Sequence, residues 1–336
     1  MMKACVRVDQ KRIEVHEIPI PELTEPDDVL LKVGAVGICG SDLHMWLRDD
    51  PKKNGVIFGH EFSGTVVKSA SGNINPGTRC AVYPGSVKPQ NIGADVTDWV
   101  PGIQHVPGAY AQYLIVKEKF VHPIPDHFTF VAGALLEPLG VAYQACLAGK
   151  IQIGDKVLVQ GTGPIGTALV AWLKAAGAQL VVQTEISDAR LNSIKERTTA
   201  DYLIDAKQNN LVDVLKEISD GGFDITYDCT GVTEETVELG LDAAKVGGTV
   251  VIVGVNLKKI PIDTFKIMYK RLTLISSFGP YSFKKLIPLV SKGLVDAERL
   301  VTKIISLEQV QENFERLTSG NNNDLKVMID PNLDLV

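Results

Sequence analysis

The stretch Lys156-Val-Leu-Val-Gln160, running directly into Gly161-Thr-Gly163-Pro164-Ile165-Gly166, decides the fold. The first five residues form a short apolar run of the length and β-branched content of a buried strand. The glycine pattern that follows is Gly-x-Gly-x-x-Gly, and a helix-forming segment comes after it. Gly161 permits the tight turn. Gly163 removes a side chain where a pyrophosphate approaches the backbone, and Gly166 lets helix and strand pack closely. The helix start then offers free N–H groups and a partial positive charge to phosphates.

Further along, the strand-like Leu180–Thr184 ends at Glu185, about 20 residues beyond the glycines, where an acid binds ribose hydroxyls and repels a 2′-phosphate. This points to NAD rather than NADP. Arg190 is close enough to meet a phosphate instead, and a tight turn followed by an acidic helix cap remains the plain alternative.

Further short apolar runs begin near Tyr202, Phe223, Thr249 and Leu272, which makes six with those at Val157 and Leu180. Helical-length segments separate most of them: Pro164–Ala176, Asp188–Arg197, Leu211–Ser219 and Glu234–Lys245. Strand and helix alternating at this spacing predict parallel βαβ units and a doubly wound α/β sheet. Before Gly154 the chain reads as β-rich, with Val6, Ile13, Val15 and Ile18 among polar residues and a further run over Val29–Val36. After Pro280 it turns helical over Phe283–Lys292 and Leu307–Thr318, then ends in a strand-like Leu325-Lys-Val-Met-Ile-Asp330. A domain boundary is expected within 143–153, and a break near 280 would return the tail to the first domain.

The 336 residues suit about two domains. Lys plus Arg is 34 against 40 Asp plus Glu, a net charge of −6, which argues against nucleic acid or an anionic membrane as partner. The five cysteines are Cys5, Cys39, Cys80, Cys146 and Cys229, widely spaced and without a Cys-x-x-Cys pair, as in a reduced cytoplasmic protein. The opening residues lack the apolar core of a signal peptide, and the longest uncharged stretch, 157–173, is broken by glycines and Pro164, unlike a membrane span.

A second cluster of chemistry-bearing residues lies in the β-rich third: Cys39, Ser41, Asp42 and His44, then His60 and Glu61, then Glu137. Thiolate, imidazole and carboxylate are all zinc donors, and catalytic zinc keeps one position open. Spacing alone leaves the plain readings open: a core thiol, a hydrogen-bonded core histidine, a surface acid and a helix-end acid.

The motifs CGSDLH (39–44), GHEFSG (59–64), EPLG (137–140) and GTGPIG (161–166), with DCTG (228–231) and GGTVVIVG (247–254), occur in this order. In them the chain resembles the medium-chain, zinc-dependent alcohol and polyol dehydrogenases, most of all the sorbitol (L-iditol) and threonine dehydrogenase branch. The resemblance covers nearly the whole length. It implies a GroES-like catalytic domain over 1–143 and 281–336, a Rossmann NAD-binding domain over 144–280, and an active site in the cleft between them. It implies that Cys39 and His60 bind a catalytic zinc, with Glu61 as third protein ligand and Glu137 beside the metal or exchanging with Glu61. Asp42 would orient His60, Ser41 would take the hydroxyl proton, and His44 would pass it to solvent. For NAD it adds Gly161, Gly163, Pro164, Ile165 and Gly166 under the pyrophosphate and Glu185 and Arg190 at the adenosine end. Val253, Gly254 and Val255, then Ser277 and Phe278, would lie near the nicotinamide, with Lys326 also near the cofactor. Family members are usually homodimers or homotetramers joined at the Rossmann sheet edge.

Two features depart from the family pattern. The lobe that often carries a structural zinc on four cysteines reads YPGSVKPQNIGADVTDWVPGIQHVPGAYAQY (83–113) and contains no cysteine, so one zinc per chain is expected. That lobe is expected to fold around Trp99 and Tyr110. On the substrate side, Trp46 stands where polyol enzymes often have tyrosine, and Phe278-Gly-Pro-Tyr281 replaces an arginine-bearing segment. A pocket of Trp46, Phe278, Tyr281 and Glu137 would favour a less hydroxylated secondary alcohol or a cyclic polyol. The competing readings are a zinc-free quinone or enoyl reductase and a non-enzymatic NAD-binding redox sensor; the donor set of Cys39, His60, Glu61 and Glu137 argues against both.

Overall fold

The computed structural model describes residues 1–84, 101–102, 106–256, 258–280, 282–320 and 322–333. Trp99 and Tyr281, named above, lie outside the described residues. The chain forms two units: Met1–Glu137 with Ser282–Lys292 and Val301–Val336, and Pro138–Tyr281 with Gly293–Leu300.

In the first unit, β1 (Met2–Asp9) and β2 (Arg12–Ile18) form an antiparallel hairpin. The strand β3 (Asp28–Gly37) organises the larger sheet, and α1 (Gly40–Leu47) follows it. Next come β4 (Glu61–Ser69), β5 (Arg79–Val82), β6 (Tyr113–Lys117), β7 (Val121–Pro123) and α2 (Phe130–Ala134). Along one edge of β3 runs β4. The other edge is shared, with β6 pairing Asp28–Lys32 and the last strand of the chain pairing Val36 and Gly37. Alternation of inward apolar residues along β3 (Val29, Leu31 and Val33, each at 0% exposure) fixes its register, because a one-residue slip would turn that face to water. An aromatic cluster closes the core, with the Phe314 ring stacked on Phe58 and edge-on to Trp46 and Tyr110.

The second unit carries most of α3 (Leu136–Ala148), followed by β8 (Lys156–Gln160), α4 (Pro164–Ala175), β9 (Leu180–Glu185), α5 (Asp188–Ile194), β10 (Tyr202–Asp205) and α6 (Leu211–Ser219). It continues with β11 (Phe223–Asp228), α7 (Glu234–Ala243), β12 (Ala244–Ile252), α8 (Thr264–Lys270) and β13 (Thr273–Ser276). All six strands are parallel, in the order β10-β9-β8-β11-β12-β13. The order reverses between β8 and β11, so a crevice opens at the carboxyl ends of those two strands, where such sheets bind ligands. Helices cover both faces, which is why β8, β9 and β11 are buried almost along their whole length. This is the doubly wound Rossmann sheet expected from the alternation.

The tail forms α9 (Phe283–Ser291), β14 (Val301–Ile305), α10 (Val310–Thr318) and β15 (Lys326–Ile329). With β14 beside it, β15 joins β3 in the first unit. Two details differ from expectation. The units divide at Glu137/Pro138 rather than 143/144, within the first turn of α3, so nearly the whole helix goes with the second unit. Residues 293–300 belong to the second unit, where the Arg299 guanidinium donates to the Glu196 carbonyl at 2.7 Å and Arg197 Nη1 donates to the Arg299 carbonyl at 2.9 Å.

Candidate metal centre and dinucleotide turn

The metal candidates come from three places in the first unit. Cys39 caps α1, whose first turn carries Asp42; the Cys39 N–H donates to Asp42 Oδ2 at 3.0 Å. His60 immediately precedes β4 and Glu61 begins it, opposite the end of β3, and the pairing of Gly37 with Glu61 fixes their height. The donor atoms of Cys39, His60 and Glu61 all lie within 4.8 Å of one another. Glu137 is not in that group, but it is 7% exposed and close enough to sense the charges of His60, Glu61 and Lys326.

His60 is buried, with Nδ1 3.5 Å from Asp42 Oδ1 and Nε2 3.5 Å from Ser41 Oγ. Burial alone would lower its pKa, yet Cys39 and Asp42 hold it well above the ordinary histidine value. Burial pushes the Glu137 carboxyl up to about 7, helped by Glu61 and Asp42 and opposed by His60 and Lys326. The Lys326 ammonium is 2% exposed and donates to the Ile38 carbonyl at 2.9 Å and to Glu61 Oε1 at 2.7 Å. Its pKa is raised although burial opposes this, because Glu61 and Cys39 favour the charged form.

This pocket fits a divalent cation. A thiol, an imidazole and a carboxylate converge; the buried His60 Nδ1 and Asp42 Oδ1 face each other at 3.5 Å with no closer hydrogen-bond partner, and Glu61 Oε2 lies 2.5 Å from the Lys326 ammonium. Two groups held in the cationic form, Lys326 and His60, face the carboxyls of Asp42, Glu61 and Glu137, and a metal ion would take the place of the His60 proton.

Some sequence-predicted residues fall differently. Trp46 is not a pocket wall: at 2% exposure it is part of the core, because its position on α1 faces the aromatic cluster rather than the metal donors. Lys326 lies in the metal pocket, with its ammonium donating to Glu61, and its expected nearness to the cofactor stands as a proposal. His44 is exposed on α1, and Ser41 is half-buried beside His60.

Two contributors carry no local sequence signal. The buried Tyr110 hydroxyl donates to Asp42 Oδ2 at 2.8 Å across 68 residues; burial first, and then Asp42, raises its pKa, which keeps it a donor. Gly37 leaves room for the buried ion pair, since a Cβ there would lie 2.1 Å from Glu61 Oε2.

In the second unit, Gly161 adopts φ +96°, Gly163 caps α4, and Pro164 takes the first helical position, where its missing N–H costs nothing. A Cβ on Gly166 would meet the Gly161 carbonyl at 2.3 Å, whereas one on Gly163 would meet nothing within 4 Å. The open space above Gly163 suits a phosphate. Ile165 is half-buried beside it. Glu185, 8% exposed, ends β9, and the half-buried Arg190 follows on α5. The N–H groups of Val253 and Gly254 both donate to the Asp228 carbonyl, at 3.0 and 2.9 Å, which ties the loop after β12 to the end of β11. Val255 and Phe278 are exposed, and Ser277 is buried with an unpartnered hydroxyl. All five follow the carboxyl ends of β12 and β13.

Known proteins show the same two parts. The model of the alcohol dehydrogenase GroES-like domain matches residues 25–126, and that of the zinc-binding dehydrogenase domain matches 164–292. Sorbitol dehydrogenase of Bacillus subtilis is 32% identical, over 98% of this chain and 98% of that protein. The crystal structure of 2R,3R-butanediol dehydrogenase from Bacillus subtilis superposes with a TM-score of 0.88 at 31% identity, covering 99% of this chain and 100% of that one. A zinc-binding dehydrogenase of Sinorhizobium meliloti bound to NADP has a TM-score of 0.85 at 31% identity, with coverages of 98% and 99%. The chain therefore belongs to the zinc-dependent medium-chain alcohol and polyol dehydrogenases, oxidoreductases built from a GroES-like and a Rossmann domain.

Proposed function

We propose that this chain oxidises a secondary alcohol or polyol with NAD, holding one zinc ion through Cys39, His60 and Glu61. The convergence of those three buried or half-buried donors, in a chain that also carries the dinucleotide turn, supports this reading. When bound, zinc would supply a Lewis acid that lowers the pKa of the substrate hydroxyl, and NAD would supply the hydride acceptor. Asp42 orients His60 through Nδ1 and leaves Nε2 free for the metal. Ser41 accepts the hydroxyl proton by hydrogen bond, and the exposed His44 on the same helix releases it to water. Glu137 is buried beside the donor set, where in the metal-free site burial raises its pKa, and it is able to hold a proton or bind substrate polar groups.

Sorbitol and 2R,3R-butanediol, named in the relatives, both carry a secondary hydroxyl beside another hydroxyl, which makes a polyol or vicinal diol the favoured substrate class. The partner is a second copy. At the sheet edge β13 has no neighbour on one side among the described residues, and Phe265, Met268 and Tyr269 of the nearby α8 are exposed. Five unpaired cysteines fit the reducing cytoplasm, and no helix among the described residues is long and apolar enough to cross a membrane.

Elemental analysis of protein purified without chelator, beside Cys39→Ser, tests the reading, followed by NAD reduction with sorbitol and 2,3-butanediol. One zinc per chain is expected, lost in the variant together with about a thousandfold or more of turnover, the scale of removing a central electrostatic stabiliser. Absence of zinc with NAD still bound overturns the metal assignment. Two zinc ions per chain would place a second one in the cysteine-free lobe.

A further inference from the structure

The carboxylate of Glu185 is caged. Its Oε2 accepts the Thr162 N–H at 3.2 Å and the Thr162 hydroxyl in a short hydrogen bond, and its Oε1 accepts the N–H groups of Ile186 and Ser187, each at 2.9 Å. A carboxylate has about four lone-pair sites, so each oxygen is fully engaged. Thr162 is itself fixed: it is 1% exposed, and its carbonyl accepts the Thr167 hydroxyl of α4 at 3.3 Å. The second residue of the glycine turn is thus a strap between the turn and the acid that ends β9.

We infer that Thr162 is a specificity-determining positioning residue, holding Glu185 in place so that the site admits a dinucleotide with a free ribose 2′-hydroxyl and rejects one with a 2′-phosphate. The inference rests on the dinucleotide reading above and deepens it. A glutamate free to rotate about its side chain can swing away from a phosphate, and Arg190, five residues on, would then supply the compensating charge. With Oε2 strapped to Thr162, rotation breaks two hydrogen bonds at once, and the negative charge stays beside the ribose. Discrimination therefore comes from the immobility of the acid as well as its presence. Nothing in the glycine pattern itself predicts this, because the second position of that motif is unrestricted.

Titration calorimetry of the zinc-loaded protein with NAD and with NADP, without alcohol, reads binding apart from turnover. The variants are Thr162→Val, which keeps the shape and removes the hydroxyl, Thr162→Ser, which restores it, and Glu185→Ala. Wild type is expected to prefer NAD by about a hundredfold or more, the scale of the repulsion between the fixed carboxylate and a 2′-phosphate. Thr162→Val should narrow that ratio about tenfold, mainly through tighter NADP binding, with NAD affinity within about threefold. Thr162→Ser should return the ratio to the wild-type value. If Glu185→Ala collapses the preference but Thr162→Val leaves it intact, the strap is refuted and the ribose role of Glu185 stands. If Glu185→Ala also leaves the preference intact, both fall. A wild type that binds NADP as tightly as NAD overturns the inference outright. Should Thr162→Val prove unstable to heating, Thr162→Ala serves as the hydroxyl-free variant, with the same two outcomes.

Discussion

The metal centre and the dinucleotide turn are built on opposite plans. The turn is local: one strand, six residues and a helix start, completed by an acid that ends the next strand. Backbone N–H groups and a carbonyl do most of the holding, and Gly161 and Gly166 are required by φ and by a 2.3 Å approach. The metal centre is dispersed. Cys39, His60, Glu61, Glu137 and Lys326 come from distant stretches of chain, and side chains hold one another across as many as 265 residues. A local site tolerates changes far away and fails on a single backbone clash. A dispersed one depends on many contacts and degrades by steps.

The largest break should come from the charge crowding that only the dispersed site has. In metal-free protein, Glu137 keeps its proton to about pH 7, whereas the unfolded chain releases it near the ordinary value of 4.5. The native state therefore binds more protons across that window, and stability falls as pH rises through it, by about 3 kcal/mol for a shift of this size. Denaturant melts of the metal-free protein between pH 4.5 and 8 should show the decline, and Glu137→Gln should flatten it.

Next comes Gly166→Ala. The added methyl meets the Gly161 carbonyl, which the strand on one side and the helix on the other hold in place, so a loss of about 2 kcal/mol is expected. It should appear as a lower denaturation midpoint and weaker NAD binding, with zinc content unchanged. A variant that loses zinc as well would show that the two sites are less independent than their construction implies.

The smaller effects sharpen the stepwise side of the contrast. Asp42→Asn should weaken zinc binding about 10- to 100-fold by chelator competition, as loss of a group orienting a metal-bound histidine does. Tyr110→Phe removes only the hydroxyl that steadies Asp42, so a few-fold weakening is expected, about one hydrogen bond's worth. In an Asp42→Asn background the Tyr110 change should lose most of its effect. Full additivity would mean that Tyr110 does not act through Asp42.

The same contrast explains how much was legible in the sequence. The six parallel strands and the glycine turn follow from periodicity and contiguous punctuation, both properties of neighbouring residues. The metal donors carried the right chemistry, but spacing alone left each a plain alternative, and only the ordered motifs shared with a family joined them. Trp46 shows the limit of such transfer: the motif fixes its place in the chain, but the aromatic cluster around Phe314 turns it inward. The contacts of Tyr110, Gly37 and the Lys326 ammonium were not legible because their partners come from other stretches of the chain. Lys326 in particular meets Glu61 only because β15 pairs with the end of β3.

That pairing has a consequence for how the molecule is made. A ribosome releases residues in order, and domains fold as units as they emerge. Most of the second unit, Pro138–Tyr281, leaves the ribosome as one uninterrupted piece. The first unit begins earlier and finishes later: Glu61 is translated 265 residues before the lysine that neutralises it. Until β15 arrives, an edge of β3 stands open and a carboxylate destined for burial lacks its counter-ion. The first unit is thus completed only after the second, and removal of β15 would strip the end of β3 of its partner.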